Sequence, residues 1–311
     1  MRIQAAGLTK EFGGRRAVDG LSFTVEPGKV TGFVGPNGAG KSTTLQLMLG
    51  LVHGGGRTLF DGRPYRDLPC PVREVGAVLD ARSFHPRRSA RDALFMLAAA
   101  GRAPAGRRGR ALDRRVDQLL DRVGLAPVAG RPAGGFSLGM AQRLGLAAAL
   151  LGDPRALLLD EPANGLDPHG VAWLRELLRA FAAGGGAVLV SSHLLAEMQL
   201  LADHVVVIGR GRLLADEPLD QLVGRSVGEQ VLVHSPDAGR LAELLASTGA
   251  GVDRTGDGEL TISGVGAEVV GDLAHERRLR LHQLTTRSAS LEAAFLGLTR
   301  DDVEYAAGDG P

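Results

Sequence analysis

Apolar residues form two kinds of pattern in the first half of the chain, and each predicts one type of element. Val30 to Val34 is a short, largely β-branched run, which is typical of a strand buried on both faces. Thr43 to Leu51 carries apolar residues at helical spacing and predicts a helix. Leu157 to Leu159 is a second aliphatic strand, which ends at two carboxylates and the strand-stopping Pro162. Buried strands joined by helices indicate an α/β fold.

Helical periodicity also predicts a helix-rich subdomain over about residues 81–150. Ser89 to Ala100 and Ala111 to Val123 both have apolar residues at helical spacing, and Gly101 to Gly109 is a linker rich in Pro, Gly and Arg. Eight arginines make this area basic: Arg87, Arg88, Arg91, Arg107, Arg108, Arg110, Arg114 and Arg115. A solvated face is the commoner explanation of such a cluster, and contact with anionic lipid head groups is the alternative.

The pattern changes after Glu217, where Gly224 and Gly228 mark a candidate hinge. Residues 221–300 predict a second, α+β domain whose elements follow the ferredoxin-like order β-α-β-β-α-β. Its predicted strands are Gln230 to His234, one near Val252, Glu259 to Ser263 and Leu279 to Thr285, and its helices are Asp237 to Ser247 and Ala267 to Glu276. A last amphipathic helix covers Ser290 to Leu298, and residues 301–311 predict a disordered tail. This domain shows no catalytic constellation, so we expect it to serve regulation or dimer support.

Composition narrows the class of protein. The chain has 311 residues, 44% of them hydrophobic, which is enough for two cores. The formal net charge is only +1, and no aromatic residues are interleaved with the arginines, so we expect no nucleic-acid partner. The single cysteine, Cys70, fits a reducing compartment. No signal peptide or apolar stretch of the roughly 18 to 20 residues needed for a membrane span is visible, so another chain must cross any membrane involved.

The segment between the first predicted buried strand and its helix carries the strongest chemical signal. It matches the phosphate-binding loop of nucleotide hydrolases. The nine residues are Gly35, Pro36, Asn37, Gly38, Ala39, Gly40, Lys41, Ser42 and Thr43. The glycines let successive N–H groups face an anion, and the helix N-terminus adds unpaired donors. We expect Lys41 to reach the β- and γ-phosphates of a nucleoside triphosphate and Ser42 to ligate Mg²⁺; the alternative is a glycine-rich turn that binds nothing.

Two carboxylates at the end of the second buried strand have distinct expected roles. We expect Asp160 to bind the magnesium ion, and Glu161 to lie beside the γ-phosphate and polarise the attacking water. An aliphatic strand that ends in Asp-Glu is a weak signal alone, because acidic residues at strand ends are common. The order of the neighbouring motifs gives it weight.

Four further motifs identify a family. Phe136 to Arg143 resembles the signature sequence of ATP-binding cassette (ABC) proteins, and Val190 to His193 resembles their switch strand with its histidine. Gly165 to Pro168 is similar to their D-loop, and Phe12 lies where the family places an aromatic residue that stacks on adenine. The resemblance covers about residues 1–220. It implies an ABC ATPase domain with a mixed-sheet core, an antiparallel β part and a helical subdomain that meets the membrane subunits.

Ordinary structural roles remain open for three of these residues. Phe12 is alternatively a core aromatic beneath the first sheet. His193 is alternatively a helix N-cap residue or a satisfied histidine without a catalytic part, instead of a γ-phosphate contact. Asp167 is alternatively the cap of the helix that follows it, and capping is compatible with a functional role.

The resemblance also implies how two copies act together. In the family, two ATP-binding domains pair head to tail, and each ATP lies between the phosphate loop of one and the signature of the other. Here that arrangement places Ser137 and Gly139, at a helix N-terminus, against the γ-phosphate held by Lys41 of the other copy. We therefore expect a homodimer or pseudo-dimer only while ATP is bound.

Departures from the family pattern point to a subfamily. Leu138 and Met140 replace the commonest signature residues, glycine and glutamine. Asp80 lies where the family has its Q-loop glutamine, and a carboxylate can ligate Mg²⁺ as the amide oxygen does, with an added charge. Both departures resemble the ATP-binding subunits of ABC-2 type exporters, including those linked to drug and antibiotic self-resistance.

These observations predict the cytoplasmic motor subunit of an ABC-2 type exporter, peripheral on the inner face of the plasma membrane. Its expected partners are ATP with Mg²⁺, an integral membrane permease and a second ATP-binding subunit. One alternative is a soluble ABC ATPase of the translation or DNA-repair kind, which usually has two ATP domains or a long coiled coil. A catalytically inactive regulator is a weaker alternative, because Lys41, Asp160, Glu161 and His193 are all present.

Overall fold

The computed structural model describes residues 1–102, 109–225, 230–287 and 290–299. The chain divides into two compact units, Met1–Pro218 and Leu219–Arg300. The predicted tail over residues 301–311 and the hinge glycine Gly228 lie outside the described residues. The regulatory or dimer-supporting role expected of the second unit stays a prediction.

Two β-sheets form the frame of the first unit. Its strands are β1 (Ile3–Phe12), β2 (Arg15–Val25), β3 (Val30–Val34), β4 (Gly55–Phe60), β5 (Arg63–Pro64), β6 (Val75–Val78), β7 (Ala156–Asp160), β8 (Ala187–Ser192), β9 (His204–Gly209) and β10 (Arg212–Pro218). One sheet is antiparallel with the order β2-β1-β4-β5. The other has the order β10-β9-β3-β8-β7-β6 and is parallel except for the β9–β10 pair. The predicted mixed sheet and antiparallel part are confirmed.

The parallel sheet explains why the chemical motifs meet. Strands β3 and β8 are buried along their whole length, as the apolar runs predict for strands covered on both faces. Because β3, β7 and β8 run parallel, the residues that follow them lie at one edge of the sheet. The phosphate loop follows β3, Glu161 follows β7, and His193 follows β8.

Seven helices complete the described part of the first unit: α1 (Lys41–Met48), α2 (Pro71–Glu74), α3 (Ala90–Leu97), α4 (Arg110–Arg122), α5 (Leu138–Ala149), α6 (Pro168–Ala183) and α7 (Leu195–Leu201). Three-residue 3₁₀ turns cover Tyr65–Asp67, Ala126–Val128 and Ala133–Gly135. Helix α3 continues into a π-type turn over Ala98–Arg102, where Gly101 has a φ of 90°. Helices α3, α4 and α5 belong to the helical subdomain that the sequence predicts.

Helix α1 differs at both ends from its predicted span. It begins two residues earlier than the apolar pattern indicates, directly after Gly40, whose φ of 100° turns the loop into the helix. It ends at Met48, because Gly50 adopts the left-handed conformation with a φ of 68°. The consequence is that Lys41 and Ser42 form the first turn of the helix.

A hydrophobic core joins the two sheets of the first unit. Ile3, Leu21, Phe33, Leu45 and Phe60 have no accessible surface. The rings of Phe23 and Phe33 stack with centroids 5.4 Å apart. Burying one such side chain contributes about 1.5–3 kcal/mol. This packing fixes β3 and α1, which flank the phosphate loop.

The second unit contains α8 (Leu219–Arg225), β11 (Gln230–His234), α9 (Ala238–Ala246), β12 (Gly251–Gly256), β13 (Glu259–Ser263), α10 (Ala267–Glu276), β14 (Gln283–Arg287) and α11 (Leu291–Thr299). Its sheet has the order β12-β13-β11-β14, and all three pairs are antiparallel. From β11 to β14 the elements follow the β-α-β-β-α-β order that the sequence predicts. Leu291, at the start of α11, is buried, as the predicted amphipathic face requires.

The last strand of this unit is shifted from its predicted position. The apolar pattern places it at Leu279 to Thr285, whereas β14 covers Gln283–Arg287. Arg280 donates hydrogen bonds from its backbone N and its guanidinium to the carboxylate of Asp237, which lies just before α9. This pair lowers the pKa of Asp237, mainly through the side-chain hydrogen bond from Arg280. The residues before β14 are thus held by a long-range ionic contact that local periodicity does not contain.

Candidate active site

The phosphate loop runs from Gly35 to Gly40, between β3 and α1, and its glycines are required by close backbone contacts. A Cβ on Gly35 would lie 2.6 Å from the carbonyl oxygen of Ile208. A Cβ on Gly40 would collide with the carbonyl oxygen of Ala17. Gly38 and Gly40 have φ values of 81° and 100°, which favour glycine. The loop is therefore a cradle in which a Cβ at position 35, 38 or 40 would clash or strain the backbone.

Lys41 lies inside this cradle. Its side chain is 7% exposed, and its Nζ donates to the carbonyl oxygens of Gly35, at 2.7 Å, and of Pro36, at 3.2 Å. Burial lowers the pKa of Lys41, and the nearby carboxylates of Glu161 and Asp160 partly oppose that shift. The Nζ lies 3.9 Å from Oε1 of Glu161. A buried ammonium whose hydrogen bonds go only to two neutral carbonyls, with the Glu161 carboxylate farther away at 3.9 Å, is well suited to an anionic ligand.

Glu161 adopts an unusual backbone conformation directly after β7. Its φ is 47°, a left-handed value that costs a residue other than glycine about 1–3 kcal/mol. Its N–H donates to Oγ of Ser191 at 2.9 Å, and its carbonyl accepts from Nε2 of Gln142 at 3.1 Å. No sequence motif gives an individual role to Ser191 or Gln142. The available signal for Ser191 was a hydroxyl residue at the end of an otherwise aliphatic buried strand.

His193 pairs with Glu161. Its Nδ1 lies 2.8 Å from Oε2 of Glu161, and its side chain is 44% exposed. The alternative that His193 caps a helix is wrong: Leu194 occupies the cap position of α7, and Ser192 Oγ accepts from the N–H of Leu194. The histidine is therefore held at the sheet edge by the carboxylate that is the expected catalytic base.

The signature and the D-loop contact each other within one chain. Ser137 is the N-cap of α5, and its Oγ accepts from the N–H of Met140 at 3.2 Å. A Cβ on Gly139 would lie 2.5 Å from the carbonyl oxygen of Gly165, so glycine is needed there. Asp167 caps α6 by accepting from the N–H of Gly170 at 2.7 Å. Asp167 therefore caps the helix, as the alternative for this residue predicts. Its expected role at the bound nucleotide is compatible with that cap and stays a prediction.

Phe12 and Asp80 lie on the surface. Phe12 ends β1 and is 52% exposed, so the alternative of a core aromatic is wrong. The ammonium of Lys10 lies 4.7 Å from the centroid of the Phe12 ring. Asp80 is exposed two residues beyond β6, and its Oδ1 accepts from the N–H of Arg82 at 2.8 Å.

These residues fit ATP and Mg²⁺. The cradle that a Cβ would fill, with Lys41 inside it, suits the phosphates. Within residues 1–102, 109–225, 230–287 and 290–299, no three side chains of His, Cys, Asp or Glu converge as a metal cage. Mg²⁺ needs no such cage, because it is held by one or two protein oxygens together with phosphates and water. Asp160 and the exposed Ser42 offer oxygens of that kind.

Comparisons with known proteins agree with this geometry. The family described as ABC transporter matches residues 18–164, and a domain of unknown function (DUF8746) matches residues 229–292. The bacitracin transport ATP-binding protein BcrA of Bacillus licheniformis is 37% identical, over 72% of this chain and 72% of its own. The Nod factor export ATP-binding protein I of Burkholderia lata is 34% identical, over 97% of this chain and 98% of its own.

A solved structure shares the fold. It is described as the ATP-binding subunit of an ABC transporter, is 26% identical, and superposes with a TM-score of 0.65 over 72% of this chain and 93% of its own. No helix in the parts of the chain that the structure describes is long and apolar enough to span a membrane. The cradle, the carboxylates at the sheet edge and these relatives lead to one conclusion: the chain belongs to the ABC transporter ATP-binding proteins and is an ATPase.

Proposed function

We propose that this ATPase is the motor subunit of an ABC-2 type exporter and drives a separate permease from the cytoplasmic face of the plasma membrane. The observation that carries the proposal is the near full-length similarity to a protein named for export, together with similarity to a bacitracin transport protein. Drug or antibiotic export is the substrate class that the bacitracin relative favours.

Within the ATP site, we assign roles by position and chemistry. Lys41 binds the β- and γ-phosphates, and Phe12 offers an exposed ring on which adenine stacks. Ser42, Asp80 and Asp160 would supply oxygens to Mg²⁺, which neutralises phosphate charge when bound. Glu161 accepts a proton from the attacking water, and His193 holds that carboxylate and contacts the γ-phosphate.

The active form is a head-to-tail homodimer. Ser137 lies at the N-terminus of the 12-residue helix α5, where an anion is favoured. In the arrangement that the family resemblance implies, Ser137, Gly139 and Asp167 face the phosphate loop of the other copy. The γ-phosphate held by one copy would lie against this helix of the other copy. ATP therefore joins two surfaces, and its hydrolysis releases them.

A groove in the helical subdomain is the proposed seat of the permease. It has a volume of about 350 Å³ and is lined by Ala81, Arg82, Phe84, Pro86, Ala133, Gly134, Phe136, Ala141 and Leu144. Its lining begins one residue after Asp80 and includes the residue before Ser137. A permease segment in this groove would contact chain segments that continue directly into the ATP site. Movement of the permease and hydrolysis of ATP would then be connected through a short stretch of chain.

Replacing Phe84 by glutamate should separate the ATPase from its permease. Truncating a central aromatic anchor weakens an interface by about 2 kcal/mol or more, which is about thirtyfold in affinity. The measurement is co-purification of an integral membrane partner from solubilised membranes of the native host. Leu213→Glu, at an exposed position on β10, is the control and should retain the partner. Ribosomes or DNA in place of a membrane protein would instead support the soluble ATPase.

Replacing Asp80 by asparagine should shift the Mg²⁺ dependence of ATPase activity. The change keeps an oxygen ligand and removes one charge; at about 4 Å and an effective dielectric constant of about 20, a unit charge pair interacts by about 4 kcal/mol. We expect the Mg²⁺ concentration for half-maximal activity to rise at least about tenfold. Asp67→Asn, at an exposed position, is the control. Unchanged Mg²⁺ dependence together with unchanged transport would remove Asp80 from the metal ligands.

A further inference from the structure

The hydroxyl of Ser191 connects the two carboxylate residues of the site. Ser191 is completely buried near the end of β8, in register with Asp160 at the end of β7. Its Oγ lies 2.9 Å from the backbone N of Glu161 and 2.5 Å from Oδ1 of Asp160. The sequence resemblance assigns a role to His193 just after this strand, and to Asp160 and Glu161, but none to this hydroxyl.

Chemistry fixes the direction of both hydrogen bonds. The N–H of Glu161 donates, so the Ser191 oxygen accepts there. An ionised carboxylate only accepts, so the single hydroxyl proton of Ser191 points to Oδ1 of Asp160. One side chain thus satisfies a backbone donor of one residue and orients the carboxylate of the other.

This arrangement has a consequence for metal binding. The hydrogen bond from Ser191 to Oδ1 holds the Asp160 carboxylate in one orientation. Its other oxygen, Oδ2, is then the one that would bind a cation. Partners that orient a ligating carboxylate strengthen metal binding without touching the metal. Ser191 lies on β8, the strand next to β7 and Asp160 in the parallel sheet, so the fold itself sets the orientation of the Asp160 carboxylate.

The same hydroxyl supports the strained backbone of Glu161. That residue has a left-handed φ of 47°, which persists only where its surroundings hold it. Ser191 holds the N–H, and on the other side Gln142, which is 4% exposed, holds the carbonyl. Asn164 donates its N–H to the same carbonyl at 3.2 Å. The orientation of Asp160 and the conformation of Glu161 are therefore linked through one oxygen atom.

Ser192 provides an internal comparison. It is the next residue of the same strand, is also buried, and points to the opposite face of the sheet. Its Oγ accepts from the N–H of Leu194 at 2.9 Å. The two adjacent buried serines thus have separate partners. Of the two hydroxyls, that of Ser191 binds Asp160 and Glu161, and that of Ser192 binds Leu194.

We propose that Ser191 is a positioning residue that orients Asp160 for magnesium and fixes the backbone of Glu161. This inference rests on the proposed role of Asp160 as a magnesium ligand. Removal of the hydroxyl leaves Asp160 free to rotate and the Glu161 N–H without its partner. Nucleotide binding without metal depends on the cradle and Lys41, so it should be unaffected.

The test measures binding of a fluorescent ADP analogue to the full chain, once with EDTA and once with excess Mg²⁺. The ratio of the two dissociation constants is the gain in affinity from magnesium. We expect Ser191→Ala to reduce this gain about tenfold or more, with the EDTA value unchanged. Ser191→Thr keeps the hydroxyl and should restore the gain, and Ser192→Ala should match the unaltered protein. Mn²⁺ bound with ADP, followed by electron paramagnetic resonance, should show the same order of affinities.

Each other outcome is informative. An equal magnesium gain in Ser191→Ala and the unaltered protein would overturn the positioning role and leave Asp160 as a ligand. A loss in EDTA as large as the loss in Mg²⁺ would show a general structural defect and also overturn it. Absence of any magnesium gain in the unaltered protein would contradict the proposed metal role of Asp160 itself.

Discussion

Lys41→Ala should abolish ATP turnover, with kcat/KM lowered by about 10³-fold or more. Loss of one preorganised donor to a developing charge costs about 10²–10³ in rate, and this side chain also carries a full charge. The ammonium is buried beside Glu161 and Asp160, so its removal leaves two carboxylates to repel the phosphates. Binding of ATP should weaken as well, which fluorescence titration measures alongside phosphate release.

Two variants sharpen this experiment. Lys29→Ala removes an exposed lysine just before the other end of β3 and should leave turnover unchanged. Lys41→Arg should fail like alanine, because a planar guanidinium does not fit where Nζ donates to both Gly35 and Pro36. Full activity in Lys41→Arg would show that the cradle is less restrictive than its backbone contacts indicate.

Glu161→Gln should lower kcat by about 10²–10⁴-fold while ATP remains bound. The amide preserves the size of the side chain but accepts no proton from water, and general-base catalysis contributes about that factor. The backbone hydrogen bonds to Ser191 and Gln142 do not involve the side chain, so the local fold should persist. Glu197→Gln, whose carboxylate lies 3.9 Å from Arg175, is the matched control and should retain turnover. Normal turnover in Glu161→Gln would assign the base to another residue.

The central elements of the fold were predictable because they bury continuous apolar runs. Strand β3 and strand β11 have the predicted bounds, and so does helix α10. The ends of helices were less accurate, as at α1, where backbone glycine conformations decide the first and last turns. Strand β14 was misplaced because the contact between Arg280 and Asp237 spans 43 residues, and no local pattern reports it.

The site was predictable in its residue types and in its motifs, whereas its internal contacts were not. Fixed spacing identified Lys41, Asp160, Glu161 and His193. The 2.8 Å pair between His193 and Glu161 depends on two strands being neighbours in the sheet, which sequence order does not give. Ser191 and Gln142 act through a main-chain group whose conformation appears only in the folded chain. The roles of these residues, and those of Ser42, Phe12, Asp80, Ser137, Gly139 and Asp167, stay predictions.

The central claim is that ATP is held between two copies of this chain. The most direct measurement is the solution mass of Glu161→Gln by light scattering, with ATP and Mg²⁺ and again with ADP. We predict twice the mass of one 32.4 kDa chain with ATP and a single chain with ADP. The Lys41→Ala, Glu161→Gln double variant should stay a single chain in both. A single chain under ATP, with ATP demonstrably bound to Glu161→Gln, would contradict the account.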